Sequence, residues 1–302
     1  MGPEEQRDIE PYQFHANDPY DLSLDIRLVI PQIMSSREYM QSIRSFPVPK
    51  GTLAVWYFGQ NGFLLKDSVS PLIGIDLYLT NSCARLKKDE QSYRLDRQLP
   101  IFIEPEDLAV DVFLTTHSHQ DHADPETISR MPKAEHTVFA GPFNAVQVFE
   151  ACGVPQQACR MLHPGESLAL GTATLEATFS LPTDATDLNH TGLLLTFDTA
   201  ITFYNTGDTA WSDRLSTLLP RNVDICTICI NGGYNNLSPE YAARIVEDIH
   251  PRIAVPCHYD MMVNNVGSPL MFRAALERTG TDSRFHMLRY YEPWLYERTN
   301  FQ

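Results

Sequence analysis

The chain has 302 residues, with 23 basic and 38 acidic side chains and a net charge of −15. That balance argues against a broad surface for polymeric nucleic acid, whose phosphates are gripped largely by Lys and Arg, and the length suffices for a substantial core, expected here in one domain. There is no run of 18 apolar residues to span a bilayer, the opening MGPEEQRDIEPYQF lacks a secretory pattern, and six cysteines in so long a chain do not read as a disulfide framework, so a cytoplasmic protein is expected.

Residues 1–50 carry proline and charge with weak periodicity, apart from a helix predicted around Ser35–Ile43. They read as an N-terminal extension that packs on the domain or on a neighbour, with the domain itself over 51–302. Strands are predicted at Leu53–Tyr57, Gly62–Leu65 and Leu72–Asp76. The stretch Asn81–Pro100 is polar and holds Arg85, Lys87, Lys88, Arg94 and Arg97. It reads as a solvated loop, a lid or an oligomer contact with basic groups that a phosphate could find.

Leu108–Thr116 is apolar and β-branched, as in a strand buried on both faces, and Asp124-Pro125-Glu126 is a helix start with an N-cap and proline at the first position. The loop between them packs His117, His119, Asp121 and His122 into six positions. His117 and His119 are two apart, so in extended chain their rings point the same way, while the turn through Asp121 and His122 can aim a second pair at a neighbouring point. Imidazole and carboxylate without thiolate suit one or two divalent ions (zinc, manganese or iron) and leave coordination positions open, which points to catalysis.

Further along, Pro142–Ala151 reads as a helix stopped by Gly153, and strands are predicted at Ser167–Leu170, Ala173–Phe179, Leu193–Phe197 and Ala200–Asn205. Cys226 and Cys229 form a CxxC inside the strand-like run Val223–Ile230 and read as buried thiols, as does Cys257. Ser238-Pro239 opens a helix to Asp248, and Ser268-Pro269 opens another to Thr279 that Gly280 stops.

HSHQDH after a Thr-Thr strand end resembles the HxHxDH signature of metallo-β-lactamase-fold hydrolases, and further motifs follow in that family's order. Gly74-Ile75-Asp76 is similar to its first aspartate, which braces the metal histidines. Thr206-Gly207-Asp208-Thr209 is similar to its metal-bridging aspartate, and Cys257-His258-Tyr259-Asp260 to its last histidine motif. With Trp56–Phe63 (WYFGQNGF), Asp76–Leu79 and Ile230-Asn231-Gly232, the wording resembles the L-ascorbate-6-phosphate lactonase (UlaG-like) branch.

The resemblance implies an α/β (α+β) four-layer αββα sandwich with a one- or two-metal site at the sheet edges. It implies hydrolysis of a small substrate, expected to be anionic, by a metal-activated water. A sugar or sugar-phosphate lactone is favoured. Phosphodiester hydrolysis on small cyclic nucleotides and a non-catalytic metal-binding role are the alternatives.

The family supplies one more histidine before the Gly-Asp-Thr strand, yet Ala177–Leu181 carries none. His190, in Thr186–Gly192, fits that role, with Asp187 as second choice. The expected assignment is then His117, His119 and His190 on one ion and Asp121, His122 and His258 on the other. Asp208 bridges them, Asp121 relays a proton, and Asn231, Tyr234 and Asn264 touch substrate. His163, before a Pro-Gly turn, reads as structural, His136, His250 and His286 read as ordinary, and a homo-oligomer is expected.

Overall fold

The structure, a computed structural model, describes residues 34–86 and 94–298. Six strands come first: β1 (Thr52–Gly59), β2 (Gly62–Lys66), β3 (Ile73–Ile75), β4 (Val112–Leu114), β5 (Val138–Gly141) and β6 (Cys159–Met161). Seven more form a second sheet: β7 (Ser167–Leu170), β8 (Ala173–Phe179), β9 (Thr191–Thr196), β10 (Thr202–Asn205), β11 (Ile225–Cys229), β12 (Ile253–Cys257) and β13 (Arg284–Phe285). A last strand, β14 (Trp294–Glu297), returns to the first sheet, whose order is β14-β1-β2-β3-β4-β5-β6. The second runs β13-β12-β11-β10-β9-β8-β7. Each sheet is antiparallel in one half and parallel in the other, with β3 to β6 and β10 to β13 parallel.

Alternation along the strands assigns each residue to a layer. In β1, Leu53, Val55 and Tyr57 face the other sheet, whereas Ala54, Trp56 and Phe58 join a separate apolar cluster beneath helices. That cluster takes Tyr39, Met40 and Ile43 from α1 (Ser36–Ser45), Ile128 from α2 (Pro125–Arg130), and Ala145 and Phe149 from α3 (Phe143–Ala151). Helices α4 (Pro239–Ile249) and α5 (Pro269–Thr279) bury Ile245, Val246 and Phe272 against the second sheet. The result is helix, sheet, sheet, helix: four layers, and first-sheet strands that read as continuous apolar runs because both faces are covered.

Helix α1, within the first fifty residues, packs on its own domain. Its start is set by a capping box in which the Ser35 hydroxyl accepts from the Glu38 N–H while the Glu38 carboxylate accepts from the Ser35 N–H. Residues 1–33 lie outside the described residues, as do Lys87 and Lys88 of the polar insert. Described parts of that insert are a packed wall: Cys83, Leu95 and Leu99 are buried, Arg97 donates to the Tyr78 and Leu99 carbonyls, and Arg85 and Arg94 pair with Glu126 and Asp96.

The strand expected over Leu108–Thr116 shrinks to Val112–Leu114. Leu108 and Val110 are buried beneath the helices without pairing in the ladder, so their apolar pattern reports burial rather than strand. The Ala200 expectation also fails: Ala200 has φ 58° and turns the chain between β9 and β10, which starts at Thr202. No described helix is long and apolar enough to cross a membrane.

Candidate metal centre

Loops at the C-terminal ends of β3, β4, β10 and β12 converge, as ligand sites do in open sheets with parallel strands. The β3 loop begins with Asp76, fully buried at φ 42°. Its Oδ1 accepts from the Thr116 N–H at 2.8 Å; its Oδ2 accepts from Thr116 Oγ1 at 2.6 Å, Asn61 Nδ2 at 2.7 Å and His122 Nδ1 at 2.7 Å. The last bond places a His122 proton on Nδ1 and turns Nε2 inward. That Nε2 lies 3.7 Å from Asp121 Oδ2 and 3.5 Å from Asp208 Oδ1.

The β4 loop brings His117 Nε2 within 2.9 Å of His119 Nδ1. The His190 ring stacks on His117 with centroids 4.0 Å apart, and His190 Nδ1 donates to the Asp208 carbonyl at 2.9 Å, leaving Nε2 bare. His117, His119 and His190 each offer a ligand atom within one 4.8 Å sphere of mutual distance. The same holds for Asp121, His122 and His258, and for His117, His122 and Asp208. His258, at φ 58° just after β12, sets its Nε2 3.3 Å from Asp121 Oδ2 and 3.4 Å from Asp208 Oδ1. Asp208 Oδ1 thus stands between the two groups, while its Oδ2 is held by Asn236 Nδ2 at 2.6 Å.

The donor set fits a pair of cations. His122 Nε2, His190 Nε2 and Asp208 Oδ1 are buried without a hydrogen-bond partner and face into the cluster, an arrangement that is costly unless something positive sits among them. Electrostatics agree. Burial pushes the Asp121 and Asp208 carboxyls up, but the His122 and His258 imidazoles outweigh it and hold both well below the usual carboxylate range. Burial likewise opposes charge on His122 and His258, yet the surrounding carboxylates prevail and raise both, so each holds a proton that a bound cation would displace. Burial and neighbouring imidazoles depress His117. In His190 burial outweighs the opposing Asp208 contacts, so both rings are neutral and ready to ligate at neutral pH.

Asp187, the second choice beside His190, lies outside these groups. Its carboxylate accepts from Ser118 N–H and Oγ, Asn144 Nδ2 and the Asn189 N–H, and so ties the His190 loop to the His117 loop. Of the expected substrate contacts, Tyr234 lines the cleft above the centre. Asn264 does not: its Oδ1 accepts from the Arg94 N–H, which turns it to the polar insert, and neighbouring Asn265 lines the cleft instead. Asn231 also falls short of the wall, donating to Asn265 Oδ1 at 2.7 Å.

Sequence reasoning missed Gln60, Asn61, Asn205 and Asn236. The Asn61 and Asn205 amides pair reciprocally at 2.9 Å across the two sheets, and Asn205 Oδ1 also accepts from the Gly207 N–H, linking Asp76 to the Asp208 turn. A signal existed: Gln60-Asn61 are polar residues between two glycines in an otherwise apolar hairpin, and both are buried.

A family model described as a β-lactamase superfamily domain matches residues 54–258. A metal-dependent hydrolase of Anaeromyxobacter dehalogenans is 27% identical over 243 residues, covering 76% of this chain and 82% of the relative. A probable L-ascorbate-6-phosphate lactonase of Escherichia coli is 22% identical over 275 residues, with 78% of each chain covered. Among solved structures, a metallo hydrolase from Ignicoccus hospitalis superposes with a TM-score of 0.62 at 19% identity, over 82% of this chain and 99% of the other. The family match opens within β1 and closes on His258, so it takes in β1 to β12 and every residue of the converging groups. The chain belongs to the metallo-β-lactamase superfamily of metal-dependent hydrolases, on its UlaG-like branch.

Proposed function

We propose that this metal-dependent hydrolase opens a small lactone, with one ion held by His117, His119 and His190, a second by Asp121, His122 and His258, and Asp208 shared. The observation that carries the reading is the Asp208 Oδ1 atom, buried and unpartnered between two imidazole groups. Such ions, when bound, acidify a water and polarise a carbonyl. The chain's own residues do the rest. Asn236 aims the Asp208 carboxylate, and Asp76 and the Asp208 carbonyl fix the tautomers of His122 and His190. Asp121 is the more open of the two central carboxylates, 18% exposed against 7% for Asp208. It is therefore the group that takes a proton from the attacking water and passes it to the alkoxide released as the ring opens.

The cleft above the centre has a volume of about 200 Å³, room for a small molecule rather than a polymer. Its lining combines apolar Leu86, Leu95 and Met262 with Thr183, Tyr234 and Asn265, residue types suited to hydroxyls of a sugar-like ring. The described lining also includes the Asp121, Asp184 and Asp208 carboxylates. The test is to load the protein with zinc or manganese and assay sugar-acid lactones beside linear and cyclic phosphodiesters. Metal-dependent lactone opening that disappears in His119→Ala is expected. Faster phosphodiester turnover would replace the reading, and metal binding with no turnover on either would leave a binding protein.

A further inference from the structure

Gln60 occupies the two-residue turn between β1 and β2 in the left-handed region, at φ 49°, and is wholly buried. Its backbone carbonyl accepts from the His258 N–H at 2.7 Å and from the Tyr57 hydroxyl at 2.9 Å, so the turn is fastened to the His258 strand end. This anchorage leaves the side chain little freedom except to turn its amide. Nε2 lies 2.7 Å from Asp121 Oδ2 and 3.2 Å from His258 Nε2, while Oε1 is buried and has no hydrogen-bond partner.

A cation shared by Asp121 and His258 would find an N–H donor aimed at it, which is repulsive. Rotating the nearly isosteric amide by half a turn puts Oε1 in the place of Nε2, about 3 Å from both neighbours. That is the spacing of adjacent ligands around an ion with bonds of about 2.1 Å.

We infer that Gln60 is an additional ligand of the second ion, donating its amide carbonyl after the side chain turns over on metal binding. The inference rests on the reading that Asp121, His122 and His258 hold an ion. An amide carbonyl beside a carboxylate favours a harder ion, so the second site prefers manganese to zinc more than the three-histidine site does.

The test is to titrate metal-free wild-type protein, Gln60→Met and Gln60→Glu with manganese and with zinc, reading stoichiometry by elemental analysis and affinity by calorimetry. Gln60→Met fills the space without an oxygen; Gln60→Glu keeps the oxygen and loses the donor. The expected result is a second-site manganese affinity lowered at least tenfold in Gln60→Met and retained or raised in Gln60→Glu, with the first site unchanged in both. Unchanged second-site affinity in Gln60→Met overturns the proposal. Equal weakening in both variants also overturns it, because Gln60 then acts as a donor that positions Asp121. Should Gln60→Met fail to fold, the Gln60→Glu titration decides alone, with weakened manganese binding counting against ligation. If wild type takes up one ion only, in a protein that loses it with His119→Ala, the underlying two-site reading fails rather than the role of Gln60.

Discussion

Asp76 and His122 meet at 2.7 Å, both with fully buried side chains, in a bond that joins the end of β3 to the loop after β4. The carboxylate also accepts from the Thr116 N–H and hydroxyl and from Asn61 Nδ2, so three further bonds fix its geometry. It sets both the tautomer and the direction of that imidazole.

Asp76→Asn replaces an acceptor with a group that presents N–H on one side. Metal affinity should fall by about 10–100-fold, the usual consequence of removing a carboxylate behind a ligating histidine. Competition against a chromophoric chelator measures this; affinity within twofold of wild type would show that His122 is oriented by other means.

His190 and Asp187 should separate cleanly. His190→Ala removes one donor of the three-histidine group and is expected to lower bound metal by about one ion per chain. Asp187→Ala removes the acceptor of Ser118, Asn144 and Asn189 and should keep its metal while losing about 1–3 kcal/mol of stability. Elemental analysis with denaturant unfolding distinguishes them, and the opposite pattern would make Asp187 the ligand.

Gly207 has φ +61°, and a Cβ there would stand 2.9 Å from Thr116 Cβ and 2.9 Å from the Thr191 carbonyl. Thr116 precedes His117 and Gly207 precedes Asp208, so relief of the clash must move a ligand. Gly207→Ala is therefore expected to cost about 2 kcal/mol or more and to weaken metal binding as well. A variant as stable as wild type with intact metal content would refute this.

His286 stacks on Trp294 with centroids 4.4 Å apart, and burial holds its ring down at about 4. In the unfolded chain the ring titrates near ~6.5, so between pH 6.5 and 4 the unfolded state takes up a proton that the folded state refuses. The stability it contributes is whole above pH 6.5 and drains away as pH falls through that window. Metal-free wild type should lose about 1–2 kcal/mol more than His286→Phe between pH 7.5 and pH 5. Parallel unfolding profiles would dismiss His286 as the cause.

The individual strands and helices and the main ligand candidates were legible because they are local properties of the chain, whereas the four-layer architecture was implied only by the family resemblance. Strand periodicity, the Ser-Pro and Asp-Pro helix starts, and the density of His117, His119, Asp121 and His122 need no knowledge of what lies across the fold. Convergence of His258 and Asp208 was implied by the resemblance of their motifs, in order, to those of the family. The choice of His190 over Asp187 did not, since both belong to one loop and only its path shows which side chain meets His117. The same limit hid Gln60, Asn61, Asn205 and Asn236. An amide in a turn looks like turn chemistry, and its role appears only when two sheets bring Asn61 against Asn205 and a hairpin lays Gln60 against Asp121 and His258. Sequence fixes which donors a chain possesses and the period with which they repeat. Packing between strands far apart in the chain decides which of them share a few ångströms of space, because that choice depends on long-range burial and not on neighbours in sequence.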